Sequence, residues 1–189
     1  GIELRVDAGT ERFDLLGYAV EHTRRLDAEI ARLQADREER GAAIVDQVED
    51  RLDVDLDVEV ESGIGRPHIA RAIAESSAPY DYEAAFTDLI GDGCPCYVPR
   101  SVTDLETGVE LLREACAVVG LAHPFRYDDV DAALAVARDL DAVERWYPYG
   151  RPVDTNRIDQ VVESASLLAA GGSDAHGQAL GAAGLTESD

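Results

Sequence analysis

The sequence predicts an α/β fold whose strands form a parallel sheet, either open or closed into a barrel. From residue 104 to residue 170, apolar runs typical of strands alternate with amphipathic stretches typical of helices. Residues 117–122 form a continuous apolar run, which is the pattern of a strand covered on both faces. Because parallel strands are joined by helical crossovers, this alternation is the one expected of such a sheet.

Two further strands are predicted near the start of the chain, at residues 1–6 and 13–18. In the first strand, aliphatic and charged residues alternate, which places Glu3 on the face opposite the aliphatic side chains. In the second strand, Asp14 is the polar exception within an apolar run. Residues 7–10 are short enough to join the two strands as a hairpin.

The next part of the chain is predicted to be mainly helical. Residues 21–52 have the three- and four-residue apolar spacing of an amphipathic helix, which Gly41 could divide into two. Residues 53–60 alternate acidic and aliphatic residues and could form either a short strand or an extended loop. Residues 82–90 are predicted to form another short helix.

A helix is also predicted to begin around Pro67, because proline suits the first helical turn. Arg66 and His68 would then lie at a helix N-terminus, where anions bind favourably. The alternative is a polar first turn that binds no ligand.

The remaining elements follow the alternation described above. Helices are predicted at residues 104–115, 131–140 and 156–164, and strands at residues 117–122, 142–146 and 165–170. Two of these strands lead into possible metal ligands, His123 after one and Asp174 with His176 after the other. Asp174 and His176 are two residues apart and share one face of an extended strand end, although a glycine-rich turn would also explain this segment. Since function gathers at the carboxyl ends of parallel strands, the three side chains are predicted to meet.

Composition limits the classes of function that fit. The 189 residues include 39 acidic and 17 basic ones, every basic residue is arginine, and the net charge is −22. Such an acidic excess without lysine is typical of adaptation to high salt and predicts a halophilic source. It argues against a broad nucleic-acid-binding surface, and no apolar run is long enough to span a membrane. The odd count of three cysteines, without a secretory segment, predicts a cytoplasmic location.

Five short motifs, in this order, resemble those of one superfamily. They are Gly-Ile-Glu at residues 1–3, Leu-Leu-Gly-Tyr at 15–18, Gly-Arg-Pro-His-Ile-Ala at 65–70, Leu-Ala-His-Pro at 121–124 and Gly-Ser-Asp-Ala-His-Gly at 172–177. The chain resembles the PHP domain, the polymerase and histidinol phosphatase superfamily of metal-dependent phosphoesterases. The third motif is similar to the branch that includes bacterial nucleotide 3′,5′-bisphosphate phosphatases and a related 5′-to-3′ exoribonuclease.

The resemblance implies a distorted (β/α)7 barrel with a mainly helical insertion. Residues 1–19 and 108–189 would form the barrel, and residues 20–107 would form the insertion. The superfamily's N-terminal His-x-His strand has no counterpart in this sequence. The resemblance therefore implies an N-terminally truncated chain with an incomplete barrel, which would be poorly active by itself.

The resemblance also implies a set of site residues. The metal ligands would be Glu3, Asp14, His123, Asp174 and His176, and all of these except Asp14 would be catalytic. Substrate phosphate would be held by Arg66, His68 and Arg126. Relatives commonly have a histidine at the position of Asp14, and the change to a carboxylate disfavours softer metals. Two or three divalent ions are implied, with manganese foremost and zinc, iron or magnesium as alternatives.

The implied activity is hydrolysis of a phosphomonoester or phosphodiester of a nucleotide or short nucleic acid by metal-activated water. The partner would be a phosphorylated small molecule or nucleotide, and the ends of short RNA or DNA are a second possibility. A reading of another class is a non-catalytic module that binds metal or nucleotide. The replacement at Asp14 is the best support for that reading.

Overall fold

The computed structural model describes residues 1–175, so His176 and the residues after it lie outside the described part. The chain divides into two compact units. The sheet unit comprises residues 1–26 and the described residues from Val102 onward, and the helical unit comprises residues 27–101. No helix of the described part is both long and apolar enough to cross a bilayer.

The sheet unit is built on one six-stranded sheet. Its strands are β1 (Ile2–Asp7), β2 (Arg12–Tyr18), β3 (Thr103–Asp104), β4 (Val118–Leu121), β5 (Ala142–Trp146) and β6 (Leu168–Gly171). Their order across the sheet is β3-β1-β2-β4-β5-β6. β4, β5 and β6 are parallel, as predicted, and the α/β class is confirmed. Closure into a barrel and the division at residues 20 and 107 stay predictions.

The sheet is mixed rather than parallel throughout, because β2 runs antiparallel to both of its neighbours. The connection between β1 and β2 is closed by a 2.9 Å hydrogen bond from the Ala8 N–H to the Glu11 carbonyl. A connection this short permits only a hairpin, since a parallel crossover needs about a dozen residues or more. The predicted hairpin is therefore confirmed, and the expectation of a fully parallel sheet is corrected at β2.

The helices lie close to their predicted positions. They are α1 (Arg24–Leu52), α2 (Arg66–Glu75), α3 (Tyr82–Ala84), α4 (Leu105–Ala115), α5 (Val130–Ala137) and α6 (Asn156–Ala165). A π-helical segment, Ala85–Ile90, continues α3, and a 3₁₀ turn, Pro124–Arg126, follows β4. Asp104 and Asp129 start α4 and α5, because their carboxylates accept hydrogen bonds from backbone N–H groups of the first turn.

The long helix α1 is continuous, although the sequence allowed Gly41 to divide it. A Cβ atom at Gly41 would lie 2.9 Å from Cγ2 of Ile64. The missing side chain therefore leaves room for Ile64 to pack against the helix. Residues 53–60 contain no strand, which leaves the extended-loop alternative.

The two units have separate hydrophobic cores. In the helical unit, α2 buries one apolar face that includes Ile69 and Ile73, and these residues belong to one hydrophobic core with Ile44 and Val48 of α1. In the sheet unit, the hairpin buries several large apolar side chains, and α4 packs against β1, β2 and β4. The candidate ligands lie on this hairpin and beyond the ends of β4 and β6.

Candidate metal centre

Three candidate ligands come together beside the hairpin. Glu3 and Asp14 lie on the same face of the sheet, because Asp14 pairs with Arg5 and Arg5 is two residues from Glu3. His123 follows β4, where the Ala122 N–H still donates to the Asp14 carbonyl at 2.9 Å. One ligand atom from each of Glu3, Asp14 and His123 lies within 4.8 Å of the other two. The distance from His123 Nε2 to Asp14 Oδ2 is 3.5 Å.

The His123 imidazole is buried and incompletely bonded. The residue is 5% exposed, and its Nδ1 atom has no hydrogen-bond partner among residues 1–175. The rings of Tyr127 and Tyr147 lie against it, with centroids at 5.5 and 5.2 Å. Burial lowers the pKa of His123 below its usual range, and the charge of Asp14 only partly opposes this effect. The neutral ring offers a lone pair, as metal binding requires.

Asp14 is buried and paired with an arginine that the sequence did not single out. Arg5 Nε donates to Asp14 Oδ1 at 2.7 Å and Arg5 Nη2 donates to Oδ2 at 2.5 Å, a bidentate pair. Asp14 is 2% exposed, whereas the Arg5 side chain is 45% exposed. The Asp14 N–H donates to the hydroxyl of Tyr127 at 2.8 Å. A cation bound by Asp14 must therefore share the carboxylate oxygens of Asp14 with Arg5 or displace the Arg5 guanidinium.

Asp174 lies outside this set of three and belongs to an adjoining network. The Tyr147 hydroxyl donates to Asp174 Oδ2 at 2.6 Å, and Arg126 Nη1 donates to the same oxygen at 3.2 Å. Arg126 Nη1 also donates to the Tyr147 hydroxyl at 2.8 Å. The two groups of residues adjoin, because the Tyr147 ring contacts His123. The role of Asp174 as a metal ligand stays a prediction, and His176 lies outside the described residues.

Glu144 on β5 is a site residue that the sequence reasoning missed. It is 5% exposed, and its Oε2 accepts a 2.8 Å hydrogen bond from the His123 N–H. Burial raises the pKa of the Glu144 carboxyl to about 7, and the charges of Asp174 and Glu3 add to this increase against the lowering effect of the hydrogen bond. An acidic residue inside a predicted apolar strand was the available sequence feature.

An open cavity of about 670 Å³ adjoins the candidate ligands. Its walls include Arg5, Arg12, Asp14, His123, Arg126 and Tyr127. This volume lies in the range typical of small-molecule sites. Three guanidinium groups border the cavity together with four carboxylates, those of Glu11, Asp14, Asp128 and Asp129, so arginines that could bind an anion lie among acidic groups.

Two of the predicted phosphate ligands lie in the helical unit. α2 begins at Arg66, as Pro67 predicted, and Arg66 Nη1 donates to Asp92 Oδ1 at 2.7 Å. Nδ1 of His68 accepts a 3.2 Å hydrogen bond from the Gly65 N–H. Each side chain thus has a local partner, and phosphate binding by Arg66 and His68 stays a prediction.

Comparison with known proteins provides structural relatives. No protein-family model and no curated protein sequence matches the chain. A solved structure of a candidate metal-dependent phosphoesterase from Bifidobacterium adolescentis has 24% identity and a TM-score of 0.69, covering 95% of this chain and 69% of the other. An amidohydrolase from Chromobacterium violaceum, solved with sulfate and no metal, has 22% identity and a TM-score of 0.65, covering 92% of this chain and 66% of the other. This chain therefore spans about two thirds of the length of each, and it shares their fold.

Proposed function

We propose that the chain belongs to a metal-dependent phosphoesterase acting on a nucleotide or a short nucleic acid. The strongest support is the Glu3–Asp14–His123 set, in which a buried imidazole nitrogen has no partner among the described residues. Two carboxylates and a neutral imidazole are a ligand set suited to a divalent cation. The Bifidobacterium neighbour is a candidate metal-dependent phosphoesterase. The sulfate in the Chromobacterium structure has the tetrahedral shape of phosphate.

The chemistry divides between a cation and the side chains around it. A bound divalent ion supplies Lewis acidity toward a phosphoryl oxygen and lowers the pKa of a coordinated water. Glu3, Asp14 and His123 would hold this ion, and we propose Asp174 and His176 as further ligands. Manganese is the proposed ion, because carboxylate oxygens and imidazole both suit it.

Substrate binding in the cavity is assigned to Arg126. The Arg126 side chain is 55% exposed and is oriented by Tyr147 and Asp174, which leaves N–H groups free to reach an incoming phosphoryl group. Guanidinium groups bind phosphate in a bidentate manner. We assign the same task to Arg66 and His68 for a second phosphate of the substrate.

A non-catalytic binding module is the competing function, and one observation favours it. Arg5 donates to both oxygens of Asp14, and this partly neutralises a carboxylate that a catalytic cation would need. Such a chain would bind metal or nucleotide without hydrolysing it. A nuclease that removes nucleotides from short RNA or DNA ends is a third reading, and it shares the hydrolytic chemistry.

The experiment measures manganese-dependent phosphate release from a 3′,5′-bisphosphonucleoside and shortening of a 5′-labelled RNA. The chain is compared with Asp174→Asn and with Asp128→Asn, a change at an exposed acid that also borders the cavity. We expect activity that is low in this chain by itself, depends on metal, is lost in Asp174→Asn and survives in Asp128→Asn. Metal binding without release from either substrate would favour the non-catalytic module. Activity that is unchanged by Asp174→Asn would contradict the assigned site.

A further inference from the structure

We propose that Glu144 is a positioning residue that ties the end of β4 to the turn after β6. Through these two contacts it directs His123 and Asp174 toward one bound cation. The inference rests on the proposed metal-dependent function and adds a residue to it. Glu144 itself is not assigned as a ligand or as a group that touches substrate.

The first contact replaces the sheet ladder where that ladder stops. The parallel pairing of β4 with β5 ends at Leu121, which pairs with Val143. Two residues later, the His123 N–H has left the ladder and donates to Glu144 Oε2 at 2.8 Å. A side-chain carboxyl on β5 thus fixes the backbone that presents His123.

The second contact reaches the chain that carries Asp174. A Cβ atom placed on Gly172 would lie 2.7 Å from Glu144 Oε1, so the carboxyl packs directly against the backbone there. The Gly172 N–H also donates to the carbonyl of Trp146, the last residue of β5, at 3.0 Å. Any larger residue in place of Gly172 would push the carboxyl away. One side chain therefore contacts both segments that carry candidate ligands.

The backbone conformations of His123 and Asp174 indicate what these contacts do. His123 has φ = 28° and Asp174 has φ = 43°, which is the left-handed region that residues other than glycine rarely adopt. Such conformations persist only where the surroundings hold them, and they gather at functional sites. Glu144 contacts the backbone at His123 and two residues before Asp174. A purely stabilising role fits poorly, because burying a carboxyl costs free energy that a neutral side chain would not.

The test compares Glu144→Ala, Glu144→Gln and Gly172→Ala. Glu144→Ala removes both contacts, and we expect manganese to bind about 10- to 100-fold more weakly, as for other residues that orient metal ligands. Glu144→Gln keeps an acceptor oxygen of similar size and should restore most of this affinity. Gly172→Ala should weaken binding in the same direction as Glu144→Ala. Calorimetric titration with manganese chloride measures all three.

Asp141→Ala is the matched control. Asp141 Oδ2 accepts a 2.9 Å hydrogen bond from the Val119 N–H, so Asp141 also ties a carboxylate to the backbone of β4. This contact precedes the pairing of β4 with β5, whereas the contact between Glu144 and the His123 N–H comes after that pairing has ended. We expect this variant to keep manganese affinity within about twofold, since its contact with β4 lies four residues before His123. An equal loss in Asp141→Ala and Glu144→Ala would reduce the role of Glu144 to general stability.

Amide hydrogen exchange decides the inference independently of metal. In the metal-free chain, Glu144→Ala should speed exchange at the His123 amide by at least about tenfold relative to amides of α4, because that amide loses its acceptor. Glu144→Gln should keep the protection. Unchanged exchange at His123 overturns the inference, even if the chain binds metal and hydrolyses phosphoesters. Failure of every metal to bind would overturn the proposed function, and the exchange result would still decide what Glu144 does.

Discussion

The two units of the chain differ in what they bury. The core of the helical unit consists of aliphatic side chains, alanines and Cys96. The sheet unit contains all the buried polar or charged residues of the described chain, namely Asp14, Thr103, His123 and Glu144. Burying such groups costs free energy unless each finds a partner. The sheet unit therefore gives up stability to build a site, whereas the helical unit packs for stability.

The sharpest test of this contrast is His123→Ala. Metal-dependent phosphate release should fall on the order of a thousandfold or more, as is typical when one member of a catalytic set is lost. The unfolding free energy of the metal-free chain should fall less than for truncation of a buried aliphatic side chain, because the variant also removes a buried nitrogen without a partner in the described structure. Steady-state kinetics and urea unfolding measure the two effects. His22→Ala, at an exposed histidine to which no role is assigned, is the control and should change neither strongly.

The converse change is Ile73→Ala in the helical unit. Ile73 is fully buried, so its truncation should cost about 2–5 kcal/mol of unfolding free energy. Manganese affinity measured under folding conditions should stay the same, because no candidate ligand of the Glu3–Asp14–His123 set belongs to that core. A matching loss of metal affinity would break the contrast between the two units.

Titration of Glu144 should appear as a pH dependence of stability. Its pKa in the folded chain is raised to about 7 from an ordinary value of 4.5, so the folded state holds the proton more tightly. The contribution of Glu144 to the unfolding free energy should therefore be fully present below pH 4.5 and fall by about 3 kcal/mol as the pH rises to 7. Glu144→Gln should remove this slope. Urea unfolding of both metal-free proteins across this range gives the difference, and equal slopes would contradict the assignment.

Removing Arg5 should lower the stability of the metal-free chain and increase the stabilisation that manganese provides. Arg5→Ala leaves the buried Asp14 carboxylate without its cation, at a cost of about 1–3 kcal/mol, below the value for fully buried pairs because Arg5 is 45% exposed. Manganese should restore more stability in this variant than in the parent, since both Asp14 oxygens become free. Thermal unfolding with and without manganese measures this. Arg12→Ala breaks the exposed pair with Asp7 and should do neither.

The smallest expected effect lies at the start of α2. Arg66→Ala should raise KM for a doubly phosphorylated substrate a few-fold more than KM for a singly phosphorylated one, because one guanidinium–phosphate contact would be lost. Asp92→Asn releases Arg66 from its 2.7 Å ion pair and should lower the first KM slightly. Equal changes in KM for both substrates would leave Arg66 with a local structural role in the helical unit.

Local sequence patterns predicted those helices and strands that are determined by interactions between residues close in the sequence. The apolar runs located β4 and β5, and Pro67 located the start of α2. β3 escaped because it has two residues and its partner, β1, lies almost a hundred residues away in the sequence. The glycine at position 41 allowed a break in α1 to be predicted. Its role in leaving room for Ile64 is a tertiary contact, which the local pattern does not show.

The candidate site was predictable in its residue types but not in its connections. Asp14 and His123 stood out as a polar residue in an apolar strand and as a histidine at a strand end. The bidentate pair of Arg5 with Asp14 depends on hairpin register, which the turn sets. The role of Glu144 depends on the His123 N–H, 21 positions earlier in the chain, and on the backbone at Gly172, 28 positions later. Such contacts are tertiary and leave no local periodicity.

Trp146 has a practical consequence. It is the only tryptophan of the chain, and it ends β5 two residues after Glu144. The Arg145 guanidinium lies 5.0 Å from the centroid of the Trp146 ring, and the Trp146 carbonyl accepts a hydrogen bond from the Gly172 N–H. All indole fluorescence therefore originates beside the turn that leads to Asp174. Cation binding that shifts this turn becomes visible as a change in intrinsic emission, so site occupancy can be followed without a label.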